Sequence, residues 1–375
     1  MRIGELKQKL IKIYRAGMIE RYRPAVLILG KPGIGKSYTV YEMAKELARM
    51  MNREFIDYSD DVAETILANP EKYFVFVDFR LTEVEPSDLI GIPRQVNGCV
   101  KYLPLMWAKC LSKCPGVLLL DEITNIQRLD IVSAAYKIVF DRKVGFIKLH
   151  NDVFIIACGN RPEESSVANQ LPAPLINRLI VLDVSEPTVD EWAQWMRRKF
   201  GDEWDVRTYG FLKRFESEGY LIKMPSEPET LEAFPTPRSW TTLSVLLYRK
   251  VNSSDLINGL VGSEVGIKFK AFLKVQVDIE QLINEPRLWD ELNFDAKYMA
   301  SLMLATWINK NRNFKLAFKL IDKMSKESHE YLVITCMSLK MKKLLQFLKE
   351  LFQYNVEYRE ILSEVAIGIK KQIAI

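Results

Sequence analysis

The sequence predicts an α/β fold: a parallel β-sheet covered by helices, followed by a long region of helices alone. Three observations carry that reading. Short apolar runs recur at Ala25–Leu29, Tyr73–Phe79, Gly116–Leu120, Val153–Cys158 and Leu179–Val184, and such runs suit strands buried on both faces. Segments with helical apolar spacing alternate with them, as parallel strands require. Polar clusters then fall at the carboxyl ends of those strands, at Gly30–Ser37, Asp121-Glu122 and Asn160. Open parallel sheets bind ligands along that edge.

Taken in order, residues 1–22 read as an amphipathic helix with Ile3, Leu6, Leu10 and Ile13 on one face, broken by Pro24. The first strand, Ala25–Leu29, runs into Gly30-Lys31-Pro32-Gly33-Ile34-Gly35-Lys36-Ser37, and a helix follows over Tyr38–Ala48. Tyr73–Phe79 is the second strand. Pro86, Gly91, Pro93, Gly98 and Pro104 make Glu83–Pro104 an irregular insert before a helix at Leu105–Lys113. The third strand, Gly116–Leu120, ends in Asp121-Glu122, with a helix over Arg128–Phe140. Val144–Leu149, a His150-Asn151-Asp152 turn and Val153–Cys158 read as a hairpin. Leu179–Val184 is the fifth strand.

The character changes at Ser185. Val189–Lys199, Tyr209–Phe215 and Pro237–Lys250 are helical, and proline-rich residues 220–237 are loop. Beyond Val251 only helices are expected, with breaks at Glu285-Pro286 and Asn309–Asn313.

Composition narrows the function classes. At 375 residues, 48% hydrophobic and 27% charged, the chain has the make-up of a globular protein of two or three domains. No apolar run approaches the ~20 residues that span a bilayer, and no signal-peptide pattern opens the chain, so a cytoplasmic protein without membrane insertion is expected. Cys99, Cys110, Cys114, Cys158 and Cys336 are accompanied only by His150 and His329, which argues for reduced thiols over a zinc site and against histidine triads. Net charge is +5, and Lys310–Glu350 holds ten Lys or Arg against four Asp or Glu. Such a run serves either as a solvated helix face or as a contact for nucleic acid or an acidic partner.

Strand, glycine loop, Lys-Ser and helix together make a phosphate-binding P-loop. Its glycines let backbone N–H groups turn around an anion, and the helix adds its positive dipole end. The candidate nucleotide-binding residues are Gly30, Pro32, Gly33, Ile34, Gly35, Lys36, Ser37 and Tyr38. Lys36 would reach the β- and γ-phosphates, and Ser37 and Asp121 would hold Mg²⁺, partly through water. Glu122 is placed to polarise an attacking water, which favours hydrolysis. The Asn160 amide can hold that water or the γ-phosphate without competing for the cation. Arg178 and Arg238 are candidates to stabilise charge building on the γ-phosphoryl oxygens, and spacing does not show whose nucleotide either would reach.

The order of these motifs resembles the AAA+ ATPases of the MoxR type, the branch related to dynein-like and midasin-like modules. Gly30–Ser37, Leu118–Glu122, Ala157–Arg161, Leu175–Arg178 and Pro235–Trp240 carry the resemblance, with Val77–Leu81, Asp88–Pro93 and Tyr102–Pro104. It implies an AAA+ core over 1–185 with five parallel strands in the order 5-1-4-3-2. It also implies a helical lid over 186–250, leaving a C-terminal helical domain over 251–375. Residues 83–104 become the helix-2 insert and 144–153 the pre-sensor-1 hairpin. Asn160 becomes sensor 1, Arg178 the arginine finger acting on a neighbouring subunit, and Arg238 sensor 2. ATP and Mg²⁺ are the implied ligands, and a ring, usually of six subunits, the implied assembly. No Asp-x-Ser-x-Ser motif occurs, so a von Willebrand A-domain partner would be on another chain.

Two functions are therefore carried forward. One is a ring-forming ATP hydrolase that remodels or activates a protein partner or adaptor, with Tyr102 and Phe146 as candidate substrate contacts. The other is a nucleic-acid-dependent motor or loader using the basic 310–349 region.

Overall fold

The computed structural model describes residues 1–17, 23–164, 168–225 and 232–362. The chain divides into two compact units at Pro187/Thr188.

The first unit is α/β. Helix α1 (Ile3–Arg15) buries Leu6, Leu10, Ile11 and Tyr14. It stops at Arg15, with Gly17 just beyond at φ +90°, a conformation that ends helices cheaply only at glycine. The helix read over 1–22 is thus shorter, and residues 18–22 lie outside the described residues. Strand β1 (Ala25–Leu29) and helix α2 (Lys36–Met50) flank the glycine loop. Then come β2 (Glu54–Asp57), α3 (Asp60–Ala68) and β3 (Tyr73–Arg80).

The insert that reads as irregular is ordered. It forms α4 (Pro86–Ile90) and an antiparallel pair, β4 (Ile92–Val96) and β5 (Cys99–Leu103). Asn97 and Gly98 connect the two strands at φ +53° and +75°. Two positive φ values suit the right-handed twist of a two-residue hairpin, and Asn-Gly adopts them most readily. The prolines and glycines read as breakers are accommodated around that turn.

Helix α5 (Met106–Lys113), β6 (Gly116–Asp121) and α6 (Leu129–Asp141) follow. The hairpin expected to pair Val144–Leu149 with Val153–Cys158 is replaced by a smaller one. Strands β7 (Lys143–Val144) and β8 (Ile147–Lys148) turn at Gly145-Phe146, with Gly145 at φ +57°. Strand β9 (Val153–Gly159) instead joins the central sheet, because its apolar run is buried throughout between parallel neighbours. Helix α7 (Ala173–Ile176) and β10 (Leu179–Asp183) complete the unit.

Among the described residues the central sheet has six parallel strands, ordered β10-β1-β9-β6-β3-β2. The five strands read from sequence occupy five adjacent places, and β2 adds a sixth at the edge beside β3. Gly116 is required in this sheet: a Cβ there would lie 2.1 Å from the Val75 carbonyl oxygen.

The second unit is helical: α8 (Val189–Phe200), α9 (Arg207–Arg214), α10 (Pro237–Tyr248), α11 (Ser254–Val261), α12 (Ser263–Leu273), α13 (Ile279–Asn284), α14 (Phe294–Lys310), α15 (Phe318–Glu327), α16 (His329–Met337), α17 (Met341–Tyr354) and α18 (Tyr358–Ile361). Thr188 caps α8 and Thr236 caps α10, each accepting a bond from the backbone N–H three residues on. One apolar core runs from Val189 to Leu362. At its centre Trp240 donates its indole N–H to the Tyr220 carbonyl at 2.7 Å and packs against Phe211 and Phe269. Of the loop expected over 220–237, residues 226–231 lie outside the described residues, as do 363–375 of the C-terminal region. Among the described residues no helix is long and apolar enough to cross a membrane. All five cysteines are unpaired, Cys99 exposed and the others buried.

Candidate active site

Three strand ends of the first unit bring the polar clusters together. β1 delivers the glycine loop, β6 delivers Asp121 and β9 delivers Asn160, and these strands are sheet neighbours in the order β1-β9-β6. The loop turns tightly enough that only glycine fits in places. A Cβ at Gly30 would meet the Val184 carbonyl oxygen at 2.3 Å, and Gly35, at φ +97°, hands the chain into α2. Ile34 is buried, while Pro32, Gly33 and Tyr38 are half-buried around the turn.

Lys36 opens α2 with only 8% of its surface exposed. Its ammonium donates to the carbonyls of Gly30 and Lys31, the latter at 2.9 Å, and to Asn160 Oδ1 at 2.9 Å. The lysine thus spans from the loop to the end of β9. Asn160 is oriented in turn by its backbone N–H, which donates to Thr124 Oγ1 at 2.9 Å. Gly159 before it has no room for a side chain, since a Cβ would lie 2.6 Å from Thr124 Cγ2.

Ser37 donates its hydroxyl to Asp121 Oδ2 at 2.5 Å, and the other Asp121 oxygen accepts the Glu122 backbone N–H at 2.9 Å. Glu122 sits at φ +59°, an unusual value for a non-glycine residue. That turn takes its side chain away from Asp121 and toward Thr82, whose hydroxyl donates to Glu122 Oε2 at 2.9 Å. Thr82 follows β3, and the Leu81 N–H bond to the Asp121 carbonyl at 3.0 Å holds the two segments side by side.

Thr82 and Thr124 are the site residues that sequence reasoning missed. Neither belongs to a motif. A polar residue just past the end of the strand adjoining the Asp-Glu strand was the available signal for Thr82.

Asp78 was missed as well. It lies on β3 near Asp121 and Asp57, and desolvation followed by the Asp121 charge push its carboxyl from 3.8 to about 6. A carboxyl whose value is raised on folding disfavours the fold at pH above about 6, and that cost disappears as pH falls below its unfolded value. Asp78→Asn is therefore expected to raise the melting temperature by about 1–3 °C near pH 8 in metal-free buffer. Near pH 3.5 it should change nothing. An equal gain at both pH values would show that the carboxylate charge is not the cause.

Arg178 makes no hydrogen bond to this cluster among the described residues. Arg178 is exposed between α7 and β10, its guanidinium 4.2 Å over the Phe140 ring of α6. Arg238 belongs to the second unit, exposed in the first turn of α10. Tyr102 on β5 and Phe146 in the β7–β8 turn are brought together, with ring centroids 6.0 Å apart and 42% and 82% of their surfaces exposed. The β7–β8 turn also lies close against the end of α4, where a Cβ on Gly145 would sit 2.6 Å from the Ile90 carbonyl oxygen.

Comparison with solved structures finds several partial likenesses. A chain of the E. coli MS115-1 HORMA:CdnC:Trip13 complex is 15% identical at a TM-score of 0.35, covering 71% of this chain and 88% of that one. NtrX from Brucella abortus, solved with ADP, is 13% identical at 0.36, covering 96% and 68%. The FIGL-1 AAA domain is 13% identical at 0.36, covering 77% and 87%. No family model and no curated protein matches. At such identities and scores these likenesses add nothing to the chemistry read from the residues.

Proposed function

We propose that this chain is an AAA+ ATP hydrolase of the MoxR type that works as a ring, usually of six subunits, and couples hydrolysis to remodelling of a protein partner. The observation that supports it most directly is the pair of bonds across the sheet edge. Lys36 reaches Asn160, and Ser37 reaches Asp121. Two residues at strand ends and two opening a helix are thereby drawn into one constellation at a loop shaped to hold phosphate.

The donor set fits a magnesium nucleotide. Ser37 Oγ and the Asp121 carboxylate are hard oxygen donors of the kind Mg²⁺ takes, and Lys36 offers a desolvated cation for the β- and γ-phosphates. Bound Mg²⁺ would supply charge neutralisation between the β- and γ-phosphate oxygens. The residues do the rest. Glu122 would take a proton from the attacking water while the Asn160 amide keeps that water in line. Arg178 would act on the nucleotide of a neighbouring subunit, and Arg238 would sense the γ-phosphate from a lid formed by residues 186–250. Tyr102 and Phe146 would meet the substrate protein as the hairpins move. A von Willebrand A-domain protein on another chain is one adaptor such a machine would use.

Mg²⁺-dependent ATP hydrolysis by the purified chain tests the reading, and its absence in both Lys36→Ala and the wild type would remove it. Thr82 refines the test as a positioning residue. Thr82→Val should lower kcat about 3–10-fold and leave KM for ATP unchanged, because the hydroxyl touches the Glu122 carboxylate and no nucleotide-binding group. A rise in KM with kcat intact would remove that role.

A further inference from the structure

We propose that the second unit carries a docking face for an acidic polypeptide segment with leucine-like side chains at helical spacing. The face joins the connector after α14 to the exposed side of α17. Residues 309–321 and 331–349 each contain four Lys or Arg and no Asp or Glu. The fold ties the two stretches together. The Lys340 backbone N–H donates to Asn309 Oδ1 at 3.0 Å, and Lys343 Nζ donates to the Asn311 carbonyl at 2.7 Å while lying 5.2 Å from the Phe314 ring centre. Lys310, Arg312 and Lys315 are thus set beside Lys340 and Lys342.

These five side chains are exposed, and none forms a salt bridge among the described residues. Neighbouring Lys323, by contrast, has Asp290. Like charges gathered without counter-ions repel, and an acidic partner relieves that repulsion while steering the encounter.

Charge alone would suit a nucleic acid equally, and two features favour a polypeptide. Leu316 and Leu345 are 60% and 45% exposed inside this basic field, and Leu345 shares a helix face with Lys342 and Lys349. A phosphate backbone offers such leucines nothing to bury against. The aromatic rings of the two stretches that could stack bases, Phe314, Phe318, Tyr331 and Phe347, are buried. Exposed leucines neighbouring unpaired cationic side chains complement a helix that presents leucines among carboxylates.

The test uses the full chain without nucleotide, so it stands apart from the hydrolysis reading. Fluorescence anisotropy would follow four labelled probes at low salt: a synthetic glutamate–leucine peptide, a leucine-free glutamate peptide, and single- and double-stranded DNA. The glutamate–leucine peptide should bind tightest. Lys315→Glu with Lys342→Glu should weaken it by about 10-fold or more, and Leu316→Ser with Leu345→Ser by about 3–10-fold. Unchanged melting curves would show that these surface changes leave the fold intact. Tighter binding of DNA with steep loss on adding salt would assign the face to nucleic acid and overturn the inference. So would peptide binding indifferent to both pairs of substitutions, or no binding of any probe.

Discussion

Arg178→Ala is expected to lower ATP hydrolysis by about 10³-fold or more while ATP binding stays at the wild-type level. The expectation follows from where the residue sits. Arg178 is exposed, is stacked 4.2 Å over Phe140, and makes no salt bridge among the described residues. An exposed cation–π contact of this kind is worth about 0.5–1 kcal/mol, too little for its loss to unfold the unit. A large fall in rate with an intact melting transition would therefore report on transition-state charge. Mixing separates action on the neighbour from action in place. Glu122→Gln subunits keep Arg178, so adding them to Arg178→Ala subunits should restore part of the activity if the arginine crosses between subunits. Loss without rescue would place it in its own site, and full activity of Arg178→Ala alone would remove the role.

The parts of this site differ in how openly the sequence announces them. The glycine loop, Asp121-Glu122 and Asn160 are legible because each follows an apolar run, and buried strands in a parallel sheet write themselves as such runs. Strand β2 is hidden because Glu54-Phe55-Ile56-Asp57 is short, ends in charges and lies half-exposed at the sheet edge. In the insert, Asn97-Gly98 was the sign of a hairpin, but Pro93 and Gly91 nearby masked it by reading as interruptions. The Val144–Leu149 segment misled for the opposite reason. A hairpin does form there, but Gly145 turns the chain back directly after Val144, which leaves β9 to the central sheet. Thr82 has only a faint sequence mark, a polar residue just past an apolar run. Its bond to Glu122 spans 40 positions and exists only because β3 and β6 are neighbours. Local chemistry can be read along a chain, whereas partnerships across a sheet need the strand order first.

Glu122→Gln should reduce turnover by about 10²–10⁴-fold while preserving Mg²⁺-dependent ATP binding, and so hold the protein in its ATP state. The substitution is nearly isosteric. The Glu122 backbone N–H still reaches Asp121, and the Thr82 hydroxyl still finds an amide oxygen to donate to. What is lost is the basicity that draws a proton from water, so the effect falls on kcat and leaves KM nearly unmoved. A variant that failed to bind ATP, or that hydrolysed it at the wild-type rate, would show that Glu122 is not the base. The stalled state also makes the partner accessible. A tagged Glu122→Gln chain, mixed with ATP, Mg²⁺ and extract of its source cells, should retain a protein that survives nuclease treatment. Retention that vanishes with nuclease would make the chain a nucleic-acid motor, and would redirect the basic face between Lys310 and Lys349 from carboxylates to phosphates.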